Sequence, residues 1–353
     1  MLLNSSVRIS GRLISETDKP FVIAEMSGNH NQSLERALEL VNVAADSGAD
    51  ALKLQTYTPN TITLDENSGD FCVNDPDSLW YGETLRSLYT KAYTPWEWHR
   101  QIFEHAASKG LICFSSPFDE TAVDFLESIG APAYKIASFE NNHIPLIQYA
   151  AATGKPLIIS TGMASISELD RAVSTARASG CKELILLKCT SSYPASPAES
   201  NLQTIPHLKE LFQCQVGLSD HTMGNGAACA AIALGATVVE KHFTLSRADG
   251  GVDSSFSLEP SELKQLVVET ERAWQSLGRV SYTPTVSESK NLKYRRSIFL
   301  SKDVSEGELL TTQNTTIVRP GSGMEPYHYP LVLGRSANGT YRRGMPLNWS
   351  MIR

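Results

Sequence analysis

Two histidines stand 21 positions apart, His221 in G-L-S-D-H-T and His242 in V-V-E-K-H-F, each just past a short apolar run that reads as a strand. In a parallel barrel the C-terminal ends of neighbouring strands converge on one mouth. Two imidazoles there can share a divalent metal, with open positions left to polarise a carbonyl oxygen. A lone histidine is more often a satisfied core residue, so the reading depends on the company these two keep. The other strand ends supply Glu25 with Asn29 and His30, Lys53 with Gln55, Ser115 and Ser116, Lys135 with Ser138 and Glu140, and Ser160 with Thr161. Further along come Lys188, Thr190, Ser191 and Tyr193, then Ser219 and Asp220, then Glu240.

Burying Lys or Glu side chains costs on the order of several kcal/mol each unless they are paired or bound to ligand, so their repeated placement points to a site. Two lysines with several hydroxyls suit a phosphorylated, multiply anionic ligand. Glu25 and Glu140 are available for proton transfer. The bland alternative is that Lys53 and Lys135 only pair with Glu25 or Glu140 inside the barrel. No phosphate-binding or dinucleotide glycine motif competes, because Gly217 and Gly224-Asn225-Gly226 lack the strand and spacing context and read as turns. Two other functions remain open on the residues alone. A pyruvate aldolase would use Lys53 or Lys135 as a Schiff-base lysine, and a non-catalytic carbohydrate-binding scaffold would leave the paired lysines and histidines without a purpose.

The elements that must position these groups are short β-rich runs at 21–25, 51–55, 111–114, 133–137, 157–160, 184–188, 215–218 and 237–240, separated by amphipathic stretches. Eight strands alternating with helices over about 275 residues predict an α/β fold, a (β/α)8 TIM barrel, with a doubly wound sheet as the alternative. After the first strand, Leu34, Ala37, Leu38, Val41, Ala44 and Ala45 mark one helix face and Gly48 ends it. Ser165 and Glu168 have capping-box spacing. The stretch from Thr58 to about Arg100 is too long for an ordinary barrel loop and carries Trp80, Tyr81, Tyr89, Tyr93, Trp96 and Trp98, aromatics expected mostly to pack this excursion down as a lid.

The barrel is expected over residues 1–280, a polar linker over 281–292, and a small, mostly β module over 293–353, with β pieces at 297–300, 316–318 and 331–333. The formal charge of the 353-residue chain is -7. Residues 281–353 hold ten Lys or Arg against five Asp or Glu, a balance of +5 that leaves -12 for the rest. There is no basic excess of the kind nucleic-acid binding requires, and no apolar stretch approaches the roughly 20 residues that span a bilayer. The six scattered cysteines form no C-x-x-C pair. Reduced thiols in a cytoplasmic protein are expected.

F-V-I-A-E-M-S-G-N-H-N, A-D-A-L-K-L-Q-T-Y, F-S-S-P-F-D, Y-K-I-A-S-F-E, S-T-G-M, C-T-S-S-Y-P, G-L-S-D-H-T and V-V-E-K-H-F-T-L resemble the sialic acid synthase family along nearly the whole chain. The tail, with Y-R-R-S-I and V-R-P-G-S-G, is similar to that family's antifreeze-like (SAF) domain. Within the family, G-G-V-D-S-S-F-S-L-E-P and L-W-Y-G-E-T-L with A-Y-T-P-W-E-W-H resemble the branch that makes pseudaminic acid. Neuraminate enzymes typically carry His where Ser254 stands. The resemblance implies condensation of phosphoenolpyruvate (PEP) with 6-deoxy-AltdiNAc, releasing phosphate by C–O cleavage.

It also implies that Lys53, Ser116, Lys135, Ser138, Ser160, Ser191, Tyr193 and Ser219 hold PEP, and that Gln55, Tyr193, Asp253 and Arg319 contact the sugar. His221 and His242 would bind Mn2+ or Mg2+, orienting the aldehyde. Glu25 would handle protons at the attacking water or the sugar, and Glu140 would lie near the phosphate or that water. Ser191 and Ser116 stand where family members usually have Asn and Thr. A domain-swapped homodimer is implied as well, the small domain capping the partner's barrel so that Arg319 reaches the sugar, with legionaminate and neuraminate synthases as the nearest alternatives in activity.

Overall fold

The computed structural model describes residues 6–353. Two three-residue strands, β1 (Val7–Ile9) and β2 (Arg12–Ile14), form an antiparallel hairpin. Eight parallel strands follow: β3 (Phe21–Glu25), β4 (Ala51–Thr56), β5 (Ile112–Pro117), β6 (Tyr134–Ile136), β7 (Leu157–Ser160), β8 (Leu184–Cys189), β9 (Gln215–Asp220) and β10 (Val238–His242). They close in sequence order, with β10 pairing back to β3. The expected barrel is therefore present, and the open doubly wound sheet is excluded.

Closure explains the strands' composition. A parallel strand in such a barrel is covered on both faces, so it reads as a nearly continuous apolar run that turns polar only where it reaches the mouth. Inside the barrel, Phe21, Ile23, Ala51, Phe114, Ala133, Ile158, Ile185, Leu187 and Val238 pack together, and Val7, Ile9 and Ile14 of the hairpin join the same cluster. Because Phe21, Ala51 and Val238 open their strands, the hairpin closes the N-terminal end of the barrel. Only the C-terminal end is left for chemistry.

Between barrel and helices lies a second, larger apolar layer. The helix Leu34–Asp46 buries Ala37, Leu40, Val41 and Ala44, is capped by Ser33, and gives way to Gly48 at φ +84°. The Ser165/Glu168 capping box forms at the start of Ile166–Ala178. The excursion after β4 folds into short helices at Pro59–Ile62, Gly69–Phe71 and Leu85–Ala92, then gives way at Trp96 to the barrel's own helix, Trp96–Ser108. Most of its aromatics do pack it down. Tyr89 meets Tyr57 edge-on, and the Trp96 indole donates to the Tyr57 carbonyl at 3.1 Å.

The chain divides into two compact units, one running to Gly278 and the other spanning Arg279–Arg353. The second has its own core of Ile298, Leu300, Val304, Leu310, Val332 and Leu347 among others. Strands β11 (Ser297–Leu300) and β12 (Thr315–Val318) pair antiparallel, and isolated bridges such as Val304 with Tyr341 extend the β character. The β piece expected at 331–333 is instead part of a helical turn, Tyr329–Val332. The polar stretch 281–292 is exposed and includes a short helix at Val286–Ser289. Among the described residues no helix is long and apolar enough to cross a membrane.

Candidate active site

Strand alternation sends Glu25, Lys53, Ser116, Lys135, Ser219 and Glu240 into the barrel just below its mouth, where the hydrophobic layers stop. Lys53 Nζ lies 2.8 Å from Glu25 Oε2 and 3.9 Å from Glu240 Oε1, and 3.3 Å from Ser116 Oγ. Lys135 Nζ lies 3.4 Å from the same Glu240 oxygen, which also accepts from Ser219 Oγ at 3.1 Å. The bland sequence expectation of lysine–glutamate pairing is thus partly met, with Glu240 as the shared carboxylate. Sequence reasoning had put Glu240 at a strand end without a role. Its position two residues before His242 on one strand was the signal that both face inward.

The pairing leaves groups unspent. Glu240 Oε2, Glu140 Oε2 and Ser160 Oγ are buried with no hydrogen-bond partner. Native structures rarely leave such atoms orphaned, and an active site is the common place for them. Ser160, Ser138 and Ser191 lie at the ends of successive strands, and Ser191 Oγ donates to Ser138 Oγ at 2.8 Å. The chain at Gly162, φ +47°, presses against this pair so closely that a Cβ would stand 2.5 Å from Ser138 Cβ. Backbone, hydroxyls and two ammonium groups make a cradle for a compact anion.

Electrostatics agree. Burial is the largest influence on Glu25; with Glu240 beside it, it outweighs the Lys53 ammonium and raises the carboxyl to about 7. Burial likewise raises Glu140 to about 7 against the pull of Lys135. Burial also raises Glu240, but Lys135 and Lys53 more than offset it, so this carboxylate stays ionised. Lys135 is lowered by burial, while for Lys53 the two carboxylates overcome burial and raise it. Burial thus opposes charge on Glu25, Glu140 and Lys135, while the lysines favour the ionised form of Glu240, so the ammonium groups are held by carboxylates whose charge burial weakens, a setting suited to an incoming anion.

Beside this cradle the rings of His221 and His242 lie 5.3 Å apart at 58°. His221 Nδ1 donates to the Thr190 carbonyl at 2.9 Å, which fixes the tautomer and leaves the Nε2 lone pair for coordination. His242 Nδ1 is buried and has no hydrogen-bond partner, with Asp253 Oδ2 3.7 Å away. Burial, reinforced by the neighbouring cations, holds His242 well below its ordinary value and so neutral. For His221 burial acts in the same direction, but Cys189, the Thr190 carbonyl and Glu240 carry it above the ordinary value. Among the described residues no group of three or more His, Cys, Asp or Glu is arranged to hold a metal. The two imidazoles with one orphaned nitrogen do fit a divalent ion whose remaining positions belong to water or substrate.

Tyr193 joins the histidines to the excursion. Its ring is 4.5 Å from His221 and 6.0 Å from Trp80, whose indole donates to the Val252 carbonyl at 3.0 Å. Asp253, next in the chain, accepts a hydrogen bond from Ser27, and Gln55 donates to Ser27 Oγ at 3.1 Å and Glu25 Oε1 at 2.9 Å. Gln55, Tyr193 and Asp253 therefore border one region of the mouth. Trp80 and Ser27 belong to it too, and neither was singled out from sequence as a site residue. Arg319 lies exposed just past β12 in the second unit.

The NeuB family matches residues 40–282 and the SAF domain residues 295–353. A pseudaminic acid synthase of Campylobacter jejuni is 42% identical over 96% of this chain and 98% of its own length. The N,N'-diacetyllegionaminic acid synthase of the same species is 36% identical over 92% of this chain and 97% of its own. Among solved structures, the N-acetylneuraminic acid synthetase of Leptospira borgpetersenii, in complex with citrate, superposes with a TM-score of 0.72 at 32% identity, covering 83% of this chain and 96% of that one.

Proposed function

The chain belongs to the NeuB family and carries a SAF domain, and on that premise we propose that its barrel makes pseudaminic acid from PEP, 2,4-diacetamido-2,4,6-trideoxy-L-altrose and water. The observation that carries the reading is the cradle itself: Lys53 and Lys135 share Glu240 beside the unspent hydroxyl of Ser160, next to the two imidazoles. A phosphate-bearing enol acid satisfies those ammonium groups and hydroxyls together. Ser254 beside Asp253, and 42% identity to a pseudaminic acid synthase against 36% to a legionaminic acid synthase, favour the altrose sugar.

In the reaction C3 of the enol phosphate bonds to the sugar's aldehyde carbon as its C=O π bond opens to an alkoxide that takes up a proton, water bonds at C2 and gives up a proton, and the C2–O bond to phosphate breaks. Lys53, Lys135, Ser138, Ser160 and Ser191 hold the phosphate and carboxylate of PEP, with Ser116 and Ser219 orienting the lysines and Glu240. Glu25, poised near 7, takes the proton that water gives up on attack, and Glu140 lies near the departing phosphate. Gln55, Tyr193 and Asp253 border the sugar. His221 and His242 would hold a divalent cation such as Mn2+ or Mg2+, which supplies Lewis-acid polarisation of the aldehyde oxygen when bound. We further propose a cytoplasmic, domain-swapped homodimer in which Arg319 reaches the sugar in the partner's barrel.

Purified protein incubated with PEP and the altrose sugar, with and without Mn2+, is expected to release phosphate only in the presence of metal and of this sugar. Turnover with N-acetylmannosamine but not the altrose sugar would transfer the chain to the neuraminate reaction. Full activity in a chelator would remove the metal role.

A further inference from the structure

One residue before each imidazole, between β9 and β10, lies a pair of opposite charges with no place in the chemistry above. Asp220 and Lys241 are register partners, and Lys241 Nζ stands 2.6 Å from Asp220 Oδ2 with both side chains 1% exposed. Alternation along β10 turns Glu240 and His242 into the barrel, so Lys241 points outward into the layer beneath the helices. A buried ion pair is a poor source of stability, because desolvation offsets most of the attraction and apolar residues of similar volume serve as well or better. What it supplies is geometry: a slip or rotation of one strand against the other leaves both charges unpaired.

The pair also grips the backbone around His221. Lys241 Nζ donates to the Thr222 carbonyl at 2.5 Å, and Asp220 Oδ1 accepts the Thr222 N–H at 2.9 Å. The His221 carbonyl is held by the Ala195 N–H at 2.9 Å, and the His242 carbonyl by the Leu258 N–H at 2.9 Å. The segment from Asp220 to Thr222 is thus tied to the residue that precedes His242, across a strand pair whose register fixes the distance between the two rings.

We propose that Asp220 and Lys241 are positioning residues that set the spacing and orientation of His221 and His242 toward a shared divalent cation, an inference that rests on the reading of that site given above. The pair touches neither substrate nor cation. It acts through the two imidazoles, as partners outside the ligand set commonly do.

The test uses the full-length chain freed of metal, titrated calorimetrically with Mn2+. Replacing both charges together, Asp220→Leu with Lys241→Met, removes the clamp without stranding a buried charge, so the double variant is expected to melt close to the wild type. Its Mn2+ affinity is expected to fall about 10- to 100-fold, while Lys241→Arg keeps most of the wild-type affinity. In turnover, the double variant loses activity at low Mn2+ and regains it at high Mn2+, with the KM for PEP within about twofold of wild type because Lys53 and Lys135 are untouched. If the double variant does not fold, Asp220→Asn with Lys241→Gln, which keeps the approximate volumes and removes both charges, carries the same expectation. A folded charge-removed variant that binds Mn2+ as the wild type does overturns the positioning role alone. A wild type that binds no Mn2+ overturns the metal reading and this inference with it.

Discussion

Glu140 follows β6 with one carboxylate oxygen buried and unpartnered, and burial raises its carboxyl from about 4.5 to about 7. The folded chain therefore binds a proton more tightly there than the unfolded chain does. Stability from this group is fully present below the unfolded value near 4.5 and is lost as pH rises through about 7. Glu140→Gln removes that dependence. In urea unfolding at pH 5 and pH 8, the wild type is expected to lose roughly 2.5 kcal/mol more than Glu140→Gln across the interval, and equal losses would contradict the buried, unpaired state. At this scale the residue types gathered at the mouth were legible in the sequence, since Lys53, Lys135, His221 and His242 each end an apolar run. Their partners were not. That Glu240 serves both lysines depends on which side chains meet across a closed barrel, and residue order along the chain does not encode it.

Strands buried on both faces announce themselves as apolar runs, and all eight lie within a few residues of their expected bounds. The N-terminal hairpin was not legible because V-R-I and R-L-I are too short to show a period. The turn at Tyr329–Val332 was misread for the same reason, four residues being compatible with strand or helix. The excursion between β4 and Trp96 was visible by its length, but only folding shows where it touches the mouth. Trp80 spans from the Val252 carbonyl to the Tyr193 ring, against which the proposed sugar sits. An aromatic wall of this kind contributes about 1 kcal/mol beyond its buried area. Trp80→Ala is therefore expected to raise the KM for the altrose sugar about tenfold and leave the KM for PEP nearly unchanged. Steady-state kinetics with each substrate varied in turn would check this, and an equal rise in both constants would mean that the excursion supports the barrel as a whole.

Across the whole chain the charge is divided: +5 on residues 281–353, -12 on the remainder. Each unit has its own core, so the small one does not exist to complete the barrel's packing. In the dimer proposed above, a basic unit with an exposed Arg319 would meet an acidic barrel holding an anionic donor. Under the swapped arrangement proposed above, His221 and Arg319 in any one active site come from different chains. Two variants that are each inactive, His221→Ala and Arg319→Ala, then complement one another. In a heterodimer of the two, one site inherits both defects and the other inherits neither. With random pairing half the dimers are mixed, so about a quarter of wild-type activity is expected when the variants are co-expressed. Had Arg319 served the barrel of its own chain, every site would carry one defect and the mixture would stay as inactive as its parents. Phosphate release by the co-expressed pair, compared with each variant alone, distinguishes the two arrangements without any assumption about the affinity of either substrate.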